Sequence, residues 1–545
     1  MMPHARRLYR QKQYWNPIRR YGGYDENARM KKDASFIGNW FAYYLHFSIY
    51  DKNTYLGVKM NYLTLSFLGF LVGFLVIYYL IPTRYRYLVI LVGSYVFYGL
   101  GHLQMLVTLV GLTVVSYCGG LVIEKRKSKV AYGVAFAIEV LVLLAFKYLN
   151  FIVATINTIQ NMLGIGSILA VEWNNVLLPV GLSFIVFQTC SYLSEVYHGK
   201  VSVEKNFLRY AAFAAFFPTI LSGPIQKARN LLPQIKNPKA FDYEQAQKGT
   251  ILFIWGAFEK VLVANNLNVI VTRVLNDYMN YSSMELLIGA CCFSVYIYAD
   301  FSAYSDMARG VAKLLGIDVG RNFNNPYRSK STSEFWNRWH TSLNEWFIEN
   351  LYIPLGGNRR GTGRKYLNVL IVFLVSGLWH GAQWHFVIWG LFNGSLVVMG
   401  QMLKPIKTRI YKKINVSETT ESIVFLKRLV VFGLITMAWM FFHSGVIDAL
   451  RICKRIVLFD FVSIFDPELL NICGTSVMTF ITAVVTSIFC VVQNCRRNES
   501  EVYAKFKKQP FVFQCMLIAI IICMCVFGAY NVDGYIDSQF LYFQF

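Results

Sequence analysis

Residues 61–82 read NYLTLSFLGFLVGFLVIYYLIP, a run of 22 residues with no charged side chain that stops at Pro82. A bilayer-spanning helix needs about 20 mostly apolar residues, and this one suffices. The pattern repeats along the chain, with apolar helices predicted at 61–81, 88–122 (broken near Gly99-Leu100-Gly101), 130–157, 175–197, 206–222, 248–275, 285–316, 366–402, 424–445, 474–493 and 511–530. Their breaks fall at Pro82, Pro179, Gly223-Pro224, Pro326, Pro354 and Pro405. The expected fold is therefore all-α and polytopic, with about eleven transmembrane helices plus re-entrant or interfacial ones.

The composition agrees. Of 545 residues, 55% are hydrophobic and only 15% charged, which excludes both an ordinary soluble domain and a disordered chain. The formal charge of +23 would suggest nucleic acid in a soluble protein, but here the cations sit in short connectors between apolar runs. Lys125, Arg126, Lys127 and Lys129 form one such connector, and Arg359, Arg360, Arg364 and Lys365 another. That is the positive-inside pattern, and no nucleic-acid partner is expected. Most of the eleven cysteines lie in apolar stretches, where they act as small hydrophobes. Cys523 and Cys525 lack a second pair and a polar surround, so no metal is expected there.

Residues 1–59 differ from the rest: 11 Lys and Arg stand against 4 Asp and Glu, and nothing is apolar enough to span. Two readings stay open, a basic cytoplasmic tail or an extension preceding a start at Met60. The domain expectation is a 1–59 extension and a 60–545 transmembrane unit. No internal repeat is visible.

Ionisable groups at membrane depth are costly and so are functional candidates. The first polar island holds Asp300 with Ser302, Tyr304 and Asp306. Bracing through the flanking hydroxyls is preferred there to cation binding or proton relay. The second, Ser331 to Trp346, opens with the capping-box pair Ser331 and Glu334 and predicts one helix from Thr332 to Pro354. Trp336, His340 and Leu343 would share one face of it. The third, Val375 to His385, places His380 about 14 residues into its helix, roughly 20 Å along the axis and near the bilayer midplane. Gly377 with Gly381, and Gly390 with Gly394, would let another backbone approach the imidazole. A lone histidine on an apolar face is more often a satisfied core residue, but His340 and His380, each beside a tryptophan, point to a site. His380 and His385 at i, i+5 lie on different faces, so a metal site is not expected. Among general mechanisms there remains a histidine base working with a donor that brings its own activated group. Asn337 and Ser376 lie within a turn of the histidines and are not assigned a role.

The long motifs make a specific match. DFSAYSDMARGVAKLLG (300–316), FNNPYRSKSTSEFWNRWHTSLNEWF (323–347), LYIPLGGNRRG (351–361) and SGLWHGAQWHFVIWG (376–390) resemble, in order, the membrane-bound O-acyltransferase superfamily. So do LPVGLSFIVFQTCSYLSEVYHG (178–199), FFPTILSGPIQK (216–227) and the ending FLYFQF (540–545). The branch is the one containing alginate O-acetylation and D-alanyl transfer proteins. Glu195 stands where relatives often carry Asp, which keeps the charge.

The resemblance implies that His380 holds the superfamily's invariant histidine position and His340 the second. It implies a tunnel through the membrane, with an acyl thioester donor (acetyl-CoA or an acyl carrier protein) on the cytoplasmic side. The acceptor, an exported or cell-wall polysaccharide, would lie on the other face, reached through an extracytoplasmic SGNH-type acetyltransferase partner. Acetyl transfer in the cytoplasmic membrane is the expected activity, with no bound cofactor. D-alanyl transfer to teichoic acid is the alternative within the family. A lipid or glycan transporter, which predicts repeat symmetry, is the alternative from another class. A neutral imidazole at His380 could accept the acceptor's hydroxyl proton as the tetrahedral intermediate forms. The role of His340 is left open between proton transfer, donor orientation and oxyanion stabilisation. For the basic turn at Arg359 to Lys365, orientation and contact with anionic lipid are preferred to binding donor phosphates.

Overall fold

The computed structural model describes residues 61–101, 103–164, 181–465, 484–485, 487–488 and 499–530. The 1–59 extension, the start of the 178–199 motif, the 474–493 span (four residues apart) and the 540–545 ending lie outside them. Regular structure among the described residues is helical throughout. Hydrocarbon imposes this, because a helix satisfies its backbone polar groups within itself.

The first helices follow local signals. α1 (Leu65–Leu80) starts where the Thr64 side chain accepts from the Phe67 N–H. α2 (Arg86–Gly101) and α3 (Leu103–Arg126) separate at the predicted glycine break. α4 (Lys129–Met162) is capped by Ser128, and α5 (Leu182–Tyr197) opens on Gly181 at φ 75°. The single helix predicted over 206–222 is instead α6 (Phe207–Ala214) and α7 (Phe217–Ile220). Pro218 explains the break, since its ring excludes the carbonyl four residues back. α8 (Ala228–Lys236) follows.

α9 (Tyr243–Asn276) carries one π-helical segment, Glu259–Ala264, and α10 (Ser283–Leu314) begins at a complete capping box between Ser282 and Glu285. These two long helices meet through small residues. A Cβ on Gly310 would stand 2.7 Å from the Gly249 carbonyl oxygen, and one on Gly256 would stand 2.6 Å from that of Ala303. The backbones therefore touch along an antiparallel seam.

The remaining helices are α11 (Thr332–Arg338), α12 (Thr341–Phe347), α13 (Thr362–His380), α14 (Trp384–Met402), α15 (Lys404–Lys413), α16 (Glu421–His443), α17 (Val446–Val457), α18 (Glu499–Lys507) and α19 (Phe511–Tyr530). Among the described residues, five helices are long and apolar enough to cross a membrane: Met105–Arg126, Lys129–Met162, Tyr243–Asn276, Ser283–Leu314 and Glu421–His443. A sixth appears if α14 and α15, bent by 44°, count as one span. The predicted number of about eleven counted shorter apolar helices too, such as Leu65–Leu80 and Phe207–Ile220.

The interior divides into two hydrophobic cores. One gathers α1 to α8, the second half of α10 and Trp379; the other gathers the second half of α9, the first half of α10, Trp339, Trp389 and α16. α10 belongs to both, so it runs across the boundary between them.

The predicted helix 366–402 is in fact the hairpin α13–α14, turned at Gly381-Ala382-Gln383. Its two arms meet glycine to glycine: a Cβ on Gly377 would come 2.3 Å from the Phe386 carbonyl oxygen and 3.2 Å from the Gly390 Cα. The glycine steps thus pack one arm of the hairpin on the other, and the visiting backbone is α14. Gly377→Ala has only backbone to push against, and overpacking of this kind costs about 1–3 kcal/mol. The thermal midpoint of the purified chain is expected to fall for Gly377→Ala and to stay near wild type for Gly433→Ala, whose Cβ would meet nothing within 4 Å.

Candidate active site

The single helix predicted from Thr332 to Pro354 is broken at His340. Ser331 caps α11 by accepting from the Glu334 N–H at 3.1 Å, but Glu334 reaches back to the Lys330 N–H, so the capping box is half made. After Trp339 the chain turns left-handed at His340, φ 44° and ψ 56°, and α12 starts afresh at Thr341. A non-glycine residue in that region is strained and persists only where neighbours fix it. Here they do: the Thr341 N–H donates to the Asn322 carbonyl at 2.8 Å, and the Asn324 N–H donates to the Arg338 carbonyl at 2.9 Å. The shared face predicted for Trp336, His340 and Leu343 does not exist, because no helix runs through all three.

His380 also ends a helix. It is the last residue of α13, and Gly381 beyond it is extended. The helix begins at Thr362, four residues earlier than predicted, so His380 lies about 27 Å from its basic start at ~1.5 Å per residue. The difference from the roughly 20 Å expected is the added polar turn at residues 362–365. Irregular backbone at such depth is tolerated where protein surrounds it or where it lines a cavity.

The two breaks meet on the boundary between the cores. The Trp379 ring lies 6.1 Å from the His340 ring and 4.7 Å from the His380 ring, centroid to centroid. Phe301 of α10 presents its edge geometry to His340 at 4.8 Å, and Trp389 and Phe442 do the same to His380 at 4.9 and 5.1 Å. Both imidazoles are buried, with 2% of His340 and 9% of His380 exposed. The sequence-predicted pair is thus brought into one aromatic enclosure.

A small polar cleft adjoins it. Tyr298, Ser302, Ser305, Asp306 and Arg309 line one wall from a single stripe of α10, and residues 321–325 line the other. Among the described residues, the buried Ser305 Oγ and Asn322 Nδ2 have no hydrogen-bond partner. Asn322 also accepts from Ser342 Oγ at 2.6 Å through its side chain, so this wall continues into the backbone just after His340. The cleft is therefore suited to a polar ligand with hydrogen-bonding groups, and Asp306 and Arg309, paired at 2.7 Å, give it charge of both signs.

The other candidates have partners of their own. Asp300 pairs with Lys260 of α9 at 2.5 Å and not with the flanking hydroxyls expected to brace it; Ser302 donates to Glu259 at 3.0 Å, and Tyr304 stacks on Tyr62. Asn337 is exposed and accepts from Asn344 at 3.4 Å. His385 is held by the Phe441 carbonyl at 2.9 Å, and Arg359, Arg360 and Arg364 stand exposed. Glu195 is buried against Arg229 at 3.2 Å.

Arg229 belongs to an ionic cluster outside the spanning helices. Glu349 receives Arg229 at 2.9 Å, Lys227 at 2.8 Å and Lys200 at 2.9 Å. Burial alone would raise its carboxyl, but the three cations outweigh burial and hold it down at about 2. A carboxyl depressed on folding stabilises the chain at pH above its unfolded value near 4.5, and that contribution is lost as pH falls toward 2. Wild type should therefore lose more thermal stability between pH 5 and pH 3 than Glu349→Gln does, measured by unfolding scans in detergent; equal losses would show that the cluster contributes nothing.

Comparison with known proteins extends the picture. The membrane-bound O-acyltransferase family model matches residues 90–444, a range that contains both histidines and the cleft. A probable alginate O-acetylase AlgI from Pseudomonas putida is 31% identical over 493 residues, covering 87% of this chain and 98% of that protein. A peptidoglycan O-acetyltransferase from Helicobacter pylori is 29% identical, over 88% of this chain and 95% of its own. A teichoic acid D-alanyltransferase from Bacillus subtilis is 27% identical over 41% of this chain and 59% of its own.

Proposed function

Since the chain belongs to the membrane-bound O-acyltransferase family, we propose that this multi-pass membrane enzyme moves an acetyl group from a cytoplasmic thioester donor toward hydroxyls of an exported or cell-wall polysaccharide. The observation that carries the reading is the meeting of two helix breaks, at His340 and His380, beside the ring of Trp379. The likeness to O-acetyltransferases over nearly nine-tenths of the chain supports acetyl over D-alanyl.

In this reading His380 takes the proton of the attacking hydroxyl while the new C–O bond forms at the thioester carbonyl. The tetrahedral intermediate then collapses, the C–S bond breaks, and the imidazolium returns its proton to the leaving thiolate. His340, also beside Trp379, orients the donor or stabilises the oxyanion. The cleft beside α10 admits the donor's polar arm, with Ser305 and Asn322 supplying hydrogen bonds. Acetyl-CoA and an acyl carrier protein both present such an arm. The basic ends of α3 and α13, on the side that positive-inside charge makes cytoplasmic, support donor entry there. An extracytoplasmic SGNH-type partner would receive the group and place it on the polymer.

The test is the base-labile acetate and D-alanine released from surface polymers of wild-type cells and of a strain lacking the gene. Acetate lost alone supports the reading; D-alanine lost alone assigns the chain to the other branch. No change in either removes both readings.

A further inference from the structure

Lys147 is the one cation of α4 beyond its first residue, in a helix that is otherwise among the most apolar of the chain. A lysine there has a cost and calls for a partner. Its partner is the end of the histidine helix: the ammonium donates to the Trp379 carbonyl at 2.6 Å and to the His380 carbonyl at 3.0 Å. The next residue, Tyr148, donates its hydroxyl to the Leu378 carbonyl at 2.5 Å. The Gly377 carbonyl, the first of the last four, receives the Gly381 N–H at 3.4 Å.

The last four carbonyls of a helix have no partner within it, and at this depth water cannot be assumed to supply one. Here two consecutive residues of α4 supply three of the four bonds. The cation also opposes the negative end of the helix dipole. The Cα of His380 lies between the two carbonyls that Lys147 holds, so both peptide planes flanking it are fixed, and with them the direction in which the imidazole leaves the backbone.

We propose that Lys147 is a positioning residue for His380: by gripping the Trp379 and His380 carbonyls it holds the imidazole in place for proton transfer. The proposal rests on His380 as the base. A merely structural cap would change how much folded protein forms; a positioning residue changes turnover per folded molecule. Misplacement of a reacting group by about 1 Å can cost on the order of 100-fold in rate.

The experiment uses membrane vesicles of the source cells carrying the full chain and its extracytoplasmic partner, with acetyl-CoA as donor and purified surface polymer as acceptor. Lys147→Met is expected to lower kcat by about 10- to 100-fold with KM nearly unchanged, and Lys147→Arg to recover most of the loss. Tyr148→Phe, which removes one bond and no charge, should move kcat in the same direction by less. A wild-type kcat in Lys147→Met, at equal folded amount, overturns the proposal.

A second measurement does not depend on the activity. Carbethoxylation of His380 by diethyl pyrocarbonate is followed by mass spectrometry, with His385 as the reference in the same chain. A His380 rate altered by Lys147→Met and restored by Lys147→Arg supports the proposal even if acetyl-CoA proves not to be the donor, in which case only the functional reading fails. A His380 rate unchanged in Lys147→Met and in Tyr148→Phe overturns it.

Discussion

A His380→Ala chain should reach the membrane at the wild-type level and leave the surface polymer without its base-labile acyl groups. General base catalysis is worth about 10²- to 10⁴-fold, so removal of the base should bring acylation below detection in cells. Folding should survive, because the Lys147 bond that holds the residue 380 carbonyl does not depend on the side chain. His380→Gln, which keeps much of the ring's volume, should be equally inactive, since an amide cannot accept the proton. His340→Ala separates the second role. If His340 only orients the donor, its loss raises KM for the donor; if it stabilises the oxyanion, kcat falls by about 10²- to 10³-fold. Wild-type acylation by His380→Ala or His380→Gln at normal abundance would remove the catalytic reading and leave a transporter or a scaffold as the better account.

Both histidines stood out in the sequence, because each follows a tryptophan within a polar island between apolar runs. Their backbone settings did not. Periodicity carried the helix from Thr332 onward through His340, and the left-handed turn there depends on hydrogen bonds from residues 321–324, which no local pattern announces. The same reasoning made 366–402 one helix. Gly377 and Gly390 signalled close packing, but whether they face a third helix or each other is decided by a turn at Gly381, where the residue type permits a break without requiring one.

The cations at depth were the larger omission. Lys147 and Lys260 lie within apolar helices, and the rule that drew attention to Asp300 applies to them equally. The signal was present in FAIEVLVLLAFKYLNF and ILFIWGAFEKVLVA. What sequence could not supply was the partner, which lies 232 residues away for one and 40 for the other.

Lys260 carries the second large effect. In a uniform α-helix one added residue turns a side chain by about 100°, so consecutive residues do not face one neighbour. The π-helical segment Glu259–Ala264 alters that spacing, and both Glu259 and Lys260 are only 1% exposed. Glu259 receives Trp255 Nε1 at 2.9 Å and Ser302 Oγ at 3.0 Å, while Lys260 meets Asp300. Replacing one partner of a buried ion pair costs about 3–5 kcal/mol, because the other charge stays in the interior without its counterion. Lys260→Met should therefore lower the thermal midpoint of the purified chain sharply, and so should Asp300→Leu. The double variant should recover most of the loss, since an apolar pair of similar volume can replace a buried ion pair nearly without cost. If the two losses simply add, the pair is not coupled and the contact contributes nothing. Activity gives a second reading of the same pair. Asp300 precedes Phe301, whose ring stands 4.8 Å from His340, so a shift of α10 along its glycine seam moves one wall of the histidine enclosure. The single variants should then lose turnover per folded molecule as well as stability, and the double variant, which restores the packing, should regain both together.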